Sequence, residues 1–344
     1  MKLCRVAAVM FLAGGCFPSA LFAAETNSAT QKFGAASERY QVETLRYEWF
    51  DASRNRRVPV KIYYPKTAAG AFPVIIFSHG LGGSRDGYEY LGRHWAASGY
   101  VSVHVQHIGS DSRVWQDAAP GETMENMRHA AANVSNITNR PLDISFAIDQ
   151  LEKLNKSDSP LKQRLDLTRI GVAGHSFGAF TTLAVAGETF VTPFGKRLSA
   201  LDPRIKAAIP MSSPVQKNKA FFDESYRSIK IPCFHMTGTL DASPIGDTSP
   251  KERRIPFDHS RNSDQFLVTF NGGDHMVFSG RGRLNEKTTD KEFQKLICIG
   301  STAFWDAYLT GDPSAKAWFT GGGFEQALGK EGTFEKKLCL ENGS

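Results

Sequence analysis

The stretch Ile170-Gly171-Val172-Ala173-Gly174-His175-Ser176-Phe177-Gly178-Ala179-Phe180-Thr181-Thr182-Leu183-Ala184-Val185-Ala186 decides how this chain is read. Ile170 to Ala173 is a short apolar run of the kind that forms a strand buried on both faces. Phe177 to Ala186, rich in Ala and Thr, reads as a helix. Between them stands Gly174-His175-Ser176-Phe177-Gly178, a Gly-x-Ser-x-Gly turn. A serine on a sharp strand-to-helix turn is lifted clear of the sheet, and flanking glycines leave room for the neighbouring strand and helix. Ser176 is therefore the candidate nucleophile.

The same pattern repeats outward from this stretch. Val42 to Phe50 and Val58 to Tyr64 read as an opening antiparallel pair joined by the polar Asp51 to Asn55 turn. Pro73 to Phe77, Tyr100 to Val105, Ala207 to Met211, Cys233 to Met236 and Phe266 to Phe270 are further short apolar strands. Helical stretches run from Tyr88 to Ala97, Pro141 to Leu154 and Phe293 to Leu309. Apolar strands alternating with helices predict a mostly parallel eight-stranded sheet covered on both faces. In such sheets the working groups gather beyond the carboxyl ends of the strands.

A serine hydroxyl needs a base, and the base needs a carboxylate to hold its tautomer. Three histidines follow Ser176. His235 falls inside a predicted strand, and His259 lies in a charged stretch with no strand immediately before it. His275 follows the last apolar strand across Asn271-Gly272-Gly273-Asp274 and is the expected base. Gly238-Thr239-Leu240-Asp241 places Asp241 at a turn after the strand ending near Met236, with Asp247 the alternative acid. Asp274 is adjacent to His275 in sequence and reads as a turn residue. Oxyanion donors are expected from the backbone N–H groups of Phe177 and of the Ser78-His79-Gly80-Leu81-Gly82-Gly83 loop. Leu81 is the first choice in that loop, Gly82 the alternative, and His79 reads as a brace. The sequence has no His-Glu-x-x-His, Cys-x-x-Cys, acidic calcium-type loop or phosphate-cradling loop, so acyl transfer without a metal or cofactor is expected.

Ile75-Ile76-Phe77-Ser78-His79-Gly80-Leu81-Gly82-Gly83-Ser84-Arg85, the Ser176 turn and Gly238-Thr239-Leu240-Asp241 together resemble the platelet-activating-factor acetylhydrolase-like and predicted dienelactone-hydrolase-like branch of the α/β-hydrolases. Arg140-Pro141-Leu142-Asp143-Ile144-Ser145-Phe146 is also similar to bacterial members. The resemblance runs roughly from Val42 to Thr310. It implies a triad of Ser176, Asp241 and His275, and an oxyanion hole from Leu81 and Phe177. Dienelactone hydrolases proper carry a cysteine where this chain has Ser176. Gln106-His107-Ile108-Gly109 stands where relatives often have a charged Glu-His-Arg-Asp-like run.

The segments His107 to Asn139 and Ala242 to Ser263 are the expected cleft walls, with Trp115, Phe177, Phe180 and Phe278 as its apolar lining. A short or medium acyl ester is the expected substrate, with aryl and polymeric esters as further options. Two rivals stand beside a serine carboxylester hydrolase. A peptidase or amidase of this fold would bring a gating domain, for which the segment before Val42 is short. A non-catalytic binding protein on the same scaffold tends to lose a triad member, and all three are here.

The 344 residues are 41% hydrophobic and 22% charged, an ordinary globular composition. No Pro/Gly/Ser-rich linker or fixed-period repeat divides them, so residues 25–344 are expected to form one catalytic domain. Lys2 and Arg5 precede an apolar run from Val6 to Ala24 broken by Gly14, Gly15 and Pro18, which predicts a signal peptide over residues 1–24 and a secreted or periplasmic protein. Ala13-Gly14-Gly15-Cys16 is similar to a lipoprotein processing box, but with Ala13 where a larger aliphatic residue is usual. Removing Lys2 and Arg5 takes two charges from +6 and leaves +4. The remaining basic residues are scattered apart from Arg54/Arg56/Arg57 and Lys251/Arg253/Arg254. With no aromatic-interleaved basic stripe, they read as solvated surface, and no nucleic-acid partner is expected. Of the cysteines outside the signal, Cys298 and Cys339 are expected to pair in an oxidising compartment, with Cys233 a buried thiol; three reduced cysteines is the alternative.

Overall fold

The apolar runs form strands with a strict inside-out division. Ile75 and Phe77 pack into one apolar cluster and Val74 and Ile76 into another, as a period of two requires when both faces of a sheet are covered. The computed structural model describes residues 39–66, 70–191, 195–216, 218–280 and 288–339; the expected signal peptide lies outside them. The strands are β1 (Val42–Asp51), β2 (Arg56–Pro65), β3 (Phe72–Ser78), β4 (Val101–Val105), β5 (Leu165–His175), β6 (Thr189–Val191), β7 (Arg197–Ser199), β8 (Ile205–Met211), β9 (Cys233–Leu240), β10 (Gln265–Asp274) and β11 (Gly332–Lys337). The helices are α1 (Glu89–Ala97), α2 (Arg113–Gln116), α3 (Thr123–Ala132), α4 (Val134–Lys156), α5 (Phe177–Ala186), α6 (Phe222–Arg227), α7 (Ile255–His259), α8 (Thr288–Trp305), α9 (Pro313–Thr320) and α10 (Gly323–Leu328).

Among the described residues, nine strands make the main sheet, in the order β1-β2-β4-β3-β5-β8-β9-β10-β11, and β6 and β7 pair separately. Strands β4, β3, β5, β8, β9 and β10 run parallel, while β1 and β2 at one edge and β11 at the other are antiparallel to their neighbours. This is an α/β-hydrolase fold. The expected count of eight strands is corrected by β11. Its sequence, Gly-Thr-Phe-Glu-Lys-Lys, is polar because an edge strand has one flank in water, and it lacks the apolar run that marks the others.

Three helices also differ from expectation. The long helix begins at Val134, not Pro141, because Pro141 sits inside it. Asn133 caps the true start, its side chain accepting from Ser135 N–H at 2.8 Å. Helices α2 and α3 occupy part of the expected wall segment from His107 to Asn139, for which the sequence predicts no helix.

Among the described residues, Cys233, Cys298 and Cys339 are unpaired, so the expected Cys298–Cys339 bridge is not formed. Cys298, on α8, packs like Tyr90 against the apolar cluster of that face, and burial pushes its thiol up to about 12. Cys339 is exposed beyond β11, where its N–H donates to Asp264 at the start of β10. Pairing of β11 along β10 carries the tail to the amino end of that strand.

Candidate active site

Ser176 sits between β5 and α5 with φ 57° and ψ −117°, a conformation costing a non-glycine residue about 1–3 kcal/mol. The flanking glycines are sterically required. A Cβ on Gly178 would lie 1.9 Å from the Ser78 carbonyl oxygen, and one on Gly174 2.3 Å from the Gly178 carbonyl oxygen. These contacts bring the ends of β3 and β5 side by side, so the Ser78 to Gly83 loop meets the nucleophile turn at the point where strand order reverses.

The structure brings together the three residues nominated by chain order. His275 Nε2 is 2.9 Å from Ser176 Oγ. His275 Nδ1 is 2.7 Å from Asp241 Oδ1. The second Asp241 oxygen accepts from Thr237 Oγ1 at 2.8 Å. Asp241 is fully buried and His275 nearly so. The alternatives lie elsewhere: His235 bonds Gln265, His259 bonds Asp223, and Asp274 accepts from Met276 N–H as a turn residue does. Asp247 lines the cleft mouth, whereas the contact to His275 is made by Asp241.

In the loop after β3, the Gly82 N–H donates to the Ser110 carbonyl at 3.0 Å, which takes Gly82 out of contention as an oxyanion donor. Leu81 lines the cleft beside Ser176 and Phe177. His79 braces the loop as expected: Nδ1 lies 2.7 Å from the Gly80 carbonyl, and Nε2 accepts from His107 N–H at 3.0 Å.

Sequence reasoning missed two further contributors. Arg253 is buried, although it belongs to a basic run read as surface. It donates to the backbone carbonyls of Asp241 and Ser212, and its Nε lies 3.4 Å from Asp241 Oδ1. Burial lowers its pKa, with Asp241 and Glu252 opposing. The second is a chain of bonds with one consistent direction. Gly80 N–H donates to Tyr88 Oη (3.2 Å), Tyr88 O–H donates to His175 Nδ1 (2.8 Å), and His175 Nε2–H donates to the His275 carbonyl (2.9 Å). Tyr88 holds φ 59° to do so. The chain ties the loop carrying Leu81 to the backbone of His275.

A cleft of about 560 Å³ opens beside Ser176. Ala131, Ile137 and Arg128 come from one expected wall segment, and Ser243 to Thr248 from the other. Phe177 and Phe180 line it. Two expected lining residues do not. Phe278 is fully buried and stacks at 5.7 Å on His175, beneath the site, because the turn after His275 folds back into the core. Trp115 instead donates Nε1–H to the Gly82 carbonyl at 2.8 Å and supports the loop from outside. Among the described residues, no cluster of three or more His, Cys, Asp or Glu is placed to hold a metal, and no helix is long and apolar enough to cross a membrane.

Residues 49–204, which include the Ser78 to Gly83 loop and Ser176, match the family described as platelet-activating factor acetylhydrolase, isoform II. Residues 128–290, which include Ser176, Asp241 and His275, match a PET hydrolase-like family. Among individual proteins, the chain is 28% identical to a platelet-activating factor acetylhydrolase of Canis lupus familiaris over 48% of this chain and 44% of that one. It is 27% identical to the Cavia porcellus protein of the same name, over 38% and 36%. It is 26% identical to cutinase est1 of Thermobifida alba, over 63% and 57%. The chain thus spans between about a third and somewhat over half of the length of these relatives.

Proposed function

From the premise that the chain is an α/β-hydrolase of the platelet-activating-factor-acetylhydrolase-like family, we propose that it is a serine carboxylester hydrolase. Ser176 is the nucleophile, His275 the base and Asp241 the acid. The observation that carries the reading is the alignment of His275, 2.9 Å from a serine in a strained turn and 2.7 Å from a buried carboxylate. Acetylhydrolases and cutinases among the similar proteins point the same way.

In the reaction, Ser176 Oγ attacks the ester carbonyl while His275 Nε2 takes its proton. Negative charge develops on the carbonyl oxygen, where the backbone N–H groups of Leu81 and Phe177 are the donors that receive it. His275 then returns the proton to the leaving alcohol, and the acyl group stays on Ser176. Water, deprotonated by the same histidine, releases the acid. No metal or cofactor enters. Arg253 and Thr237 hold Asp241 so that His275 keeps its orientation. Short or medium acyl esters are the substrate class, with aryl and polymeric esters included. The protein works outside the cytoplasm after loss of residues 1–24.

The test is hydrolysis of p-nitrophenyl esters of two to twelve acyl carbons by the wild type, Ser176→Ala and His275→Ala. The reading predicts cleavage of the shorter esters by the wild type and background rates for both variants. Equal, inert behaviour of all three on every ester would remove it.

A further inference from the structure

The cleft is apolar along Ile137, Phe180, Phe190 and Val215, and its wall is interrupted by a carboxyl group. Glu188 follows α5 and Gly187, its N–H held by the Leu183 carbonyl at 2.8 Å. It lines the cleft although only 2% of the residue is exposed. Its Oε1 accepts from Gln216 Nε2 at 2.6 Å. The Tyr226 hydroxyl faces the carboxyl from α6, fully buried and without a hydrogen bond of ordinary geometry. No lysine, arginine or histidine salt bridge reaches Glu188 among the described residues. Other charges near the cleft are Arg128, paired with Glu125 at 3.9 Å, and Asp247 at the mouth. Burial raises the Glu188 pKa to about 7, against the Gln216 hydrogen bond and the facing Tyr226 hydroxyl. An ionised carboxylate in such an apolar wall is costly to bury, and a donor that enters the cleft offsets that cost.

The side of the ester that reaches Glu188 follows from the proton path. The leaving alcohol receives its proton from His275 Nε2 and departs on that side. The cleft is lined by Leu81, Ser176 and Phe177 and not by His275. It therefore takes the acyl portion.

We propose that Glu188 makes the acyl pocket selective for chains ending in a hydrogen-bond donor, a hydroxyl or an ammonium, and against chains ending in a carboxylate. The inference rests on the ester-hydrolase reading. A protonated Glu188 tolerates a terminal carboxylate by donating to it, and an ionised Glu188 repels it, so discrimination grows with pH.

The experiment compares kcat/KM for p-nitrophenyl hexanoate, 6-hydroxyhexanoate, 6-ammoniohexanoate and monoadipate from pH 6 to 8.5. Ratios between these esters cancel whatever pH dependence the shared catalytic steps have in common. The wild type is expected to favour the ammonium and hydroxyl esters over monoadipate at pH 8, and the ammonium-to-adipate ratio to fall about tenfold by pH 6. Measured against the neutral hexanoate, the ammonium ester should gain and monoadipate lose as pH rises, while the hydroxyl ester stays nearly flat, which separates charge from hydrogen bonding. Glu188→Gln, folded by circular dichroism, should lower the pH 8 ratio about tenfold and flatten its profile. A wild-type ratio near one, or a folded Glu188→Gln with the wild-type ratio and profile, overturns the inference. Should that variant not fold, the wild-type profile alone decides, and a flat one is fatal. Failure of the wild type to cleave even the hexanoate would instead bring down the ester-hydrolase reading.

Discussion

Ser176, His275 and Asp241 form one serine-histidine-aspartate chain, and Ser78, His107 and Asp143 form another behind the oxyanion loop. Their spacings are nearly the same: 2.9 and 2.7 Å in the first, 2.9 and 3.0 Å in the second. The surroundings differ. Ser78, His107 and Asp143 are fully buried, whereas Ser176 borders the cleft. Ser78 lies at the end of a regular strand, while Ser176 stands in a strained turn. Arg140 donates to Ser78 Oγ at 3.1 Å, and Arg54 and Arg56 both reach Asp143 Oδ1 at 2.8 Å. Burial, helped by the Arg140 charge, pushes His107 down to about 3 against the pull of Asp143. A base that weak takes no proton from a serine at neutral pH. Composition and spacing alone do not make two such chains equivalent; access and backbone strain separate the two.

The sealed chain has its own task. Arg140 also donates to the His79 carbonyl and to Thr181 Oγ1 at 2.9 Å, and its guanidinium lies 4.5 Å from the Phe177 ring centre. It thus joins the oxyanion loop to the helix that follows the nucleophile. One chain carries the proposed chemistry and the other holds the loop of the proposed donors.

The largest expected contrast comes from removing each serine. Ser176→Ala should lower kcat on the order of 10⁶. Ser78→Ala should keep kcat within about tenfold while lowering stability by about 1–3 kcal/mol, read from urea unfolding. Equal losses of activity would break the comparison. A smaller effect is expected from Tyr88→Phe, which cuts the bonds joining Gly80 to His175. A fall in kcat of about 10- to 100-fold with KM nearly unchanged is predicted from misplaced groups, and a rise in KM alone would show that the link serves binding.

The smallest effect concerns pH and stability. His107 has a folded pKa near 3 and an unfolded one near 6.5, so the unfolded chain binds more protons between those values and stability falls as pH drops through them. Burial lowers His94, His104 and His235 in the same direction. His107→Asn should be less stable at pH 7 yet lose less on going to pH 4.5 than the wild type. An unchanged acid slope would mean that His107 is not held neutral.

Much of this was legible in the sequence. Ser176, Asp241 and His275 each follow an apolar strand at a glycine-rich or polar turn, and strand ends are what apolar runs mark best. Arg253 was not legible because it differs in composition from neither Lys251 nor Arg254; only the fold turns it inward. Tyr88 gave no signal, since a left-handed backbone at a tyrosine has no sequence mark. Phe278 was misplaced for a similar reason: an aromatic near the base fits a cleft wall and a core equally well, and its fully buried position is settled by tertiary packing.

The most direct test of the central claim is covalent. The protein would be treated with a p-nitrophenyl alkylphosphonate, which traps an activated serine, then digested and mapped by mass spectrometry. The account predicts one adduct per chain, on Ser176, with Ser78 untouched and labelling abolished in His275→Ala. An adduct on Ser78 or another serine, or none in active wild-type protein, would contradict it.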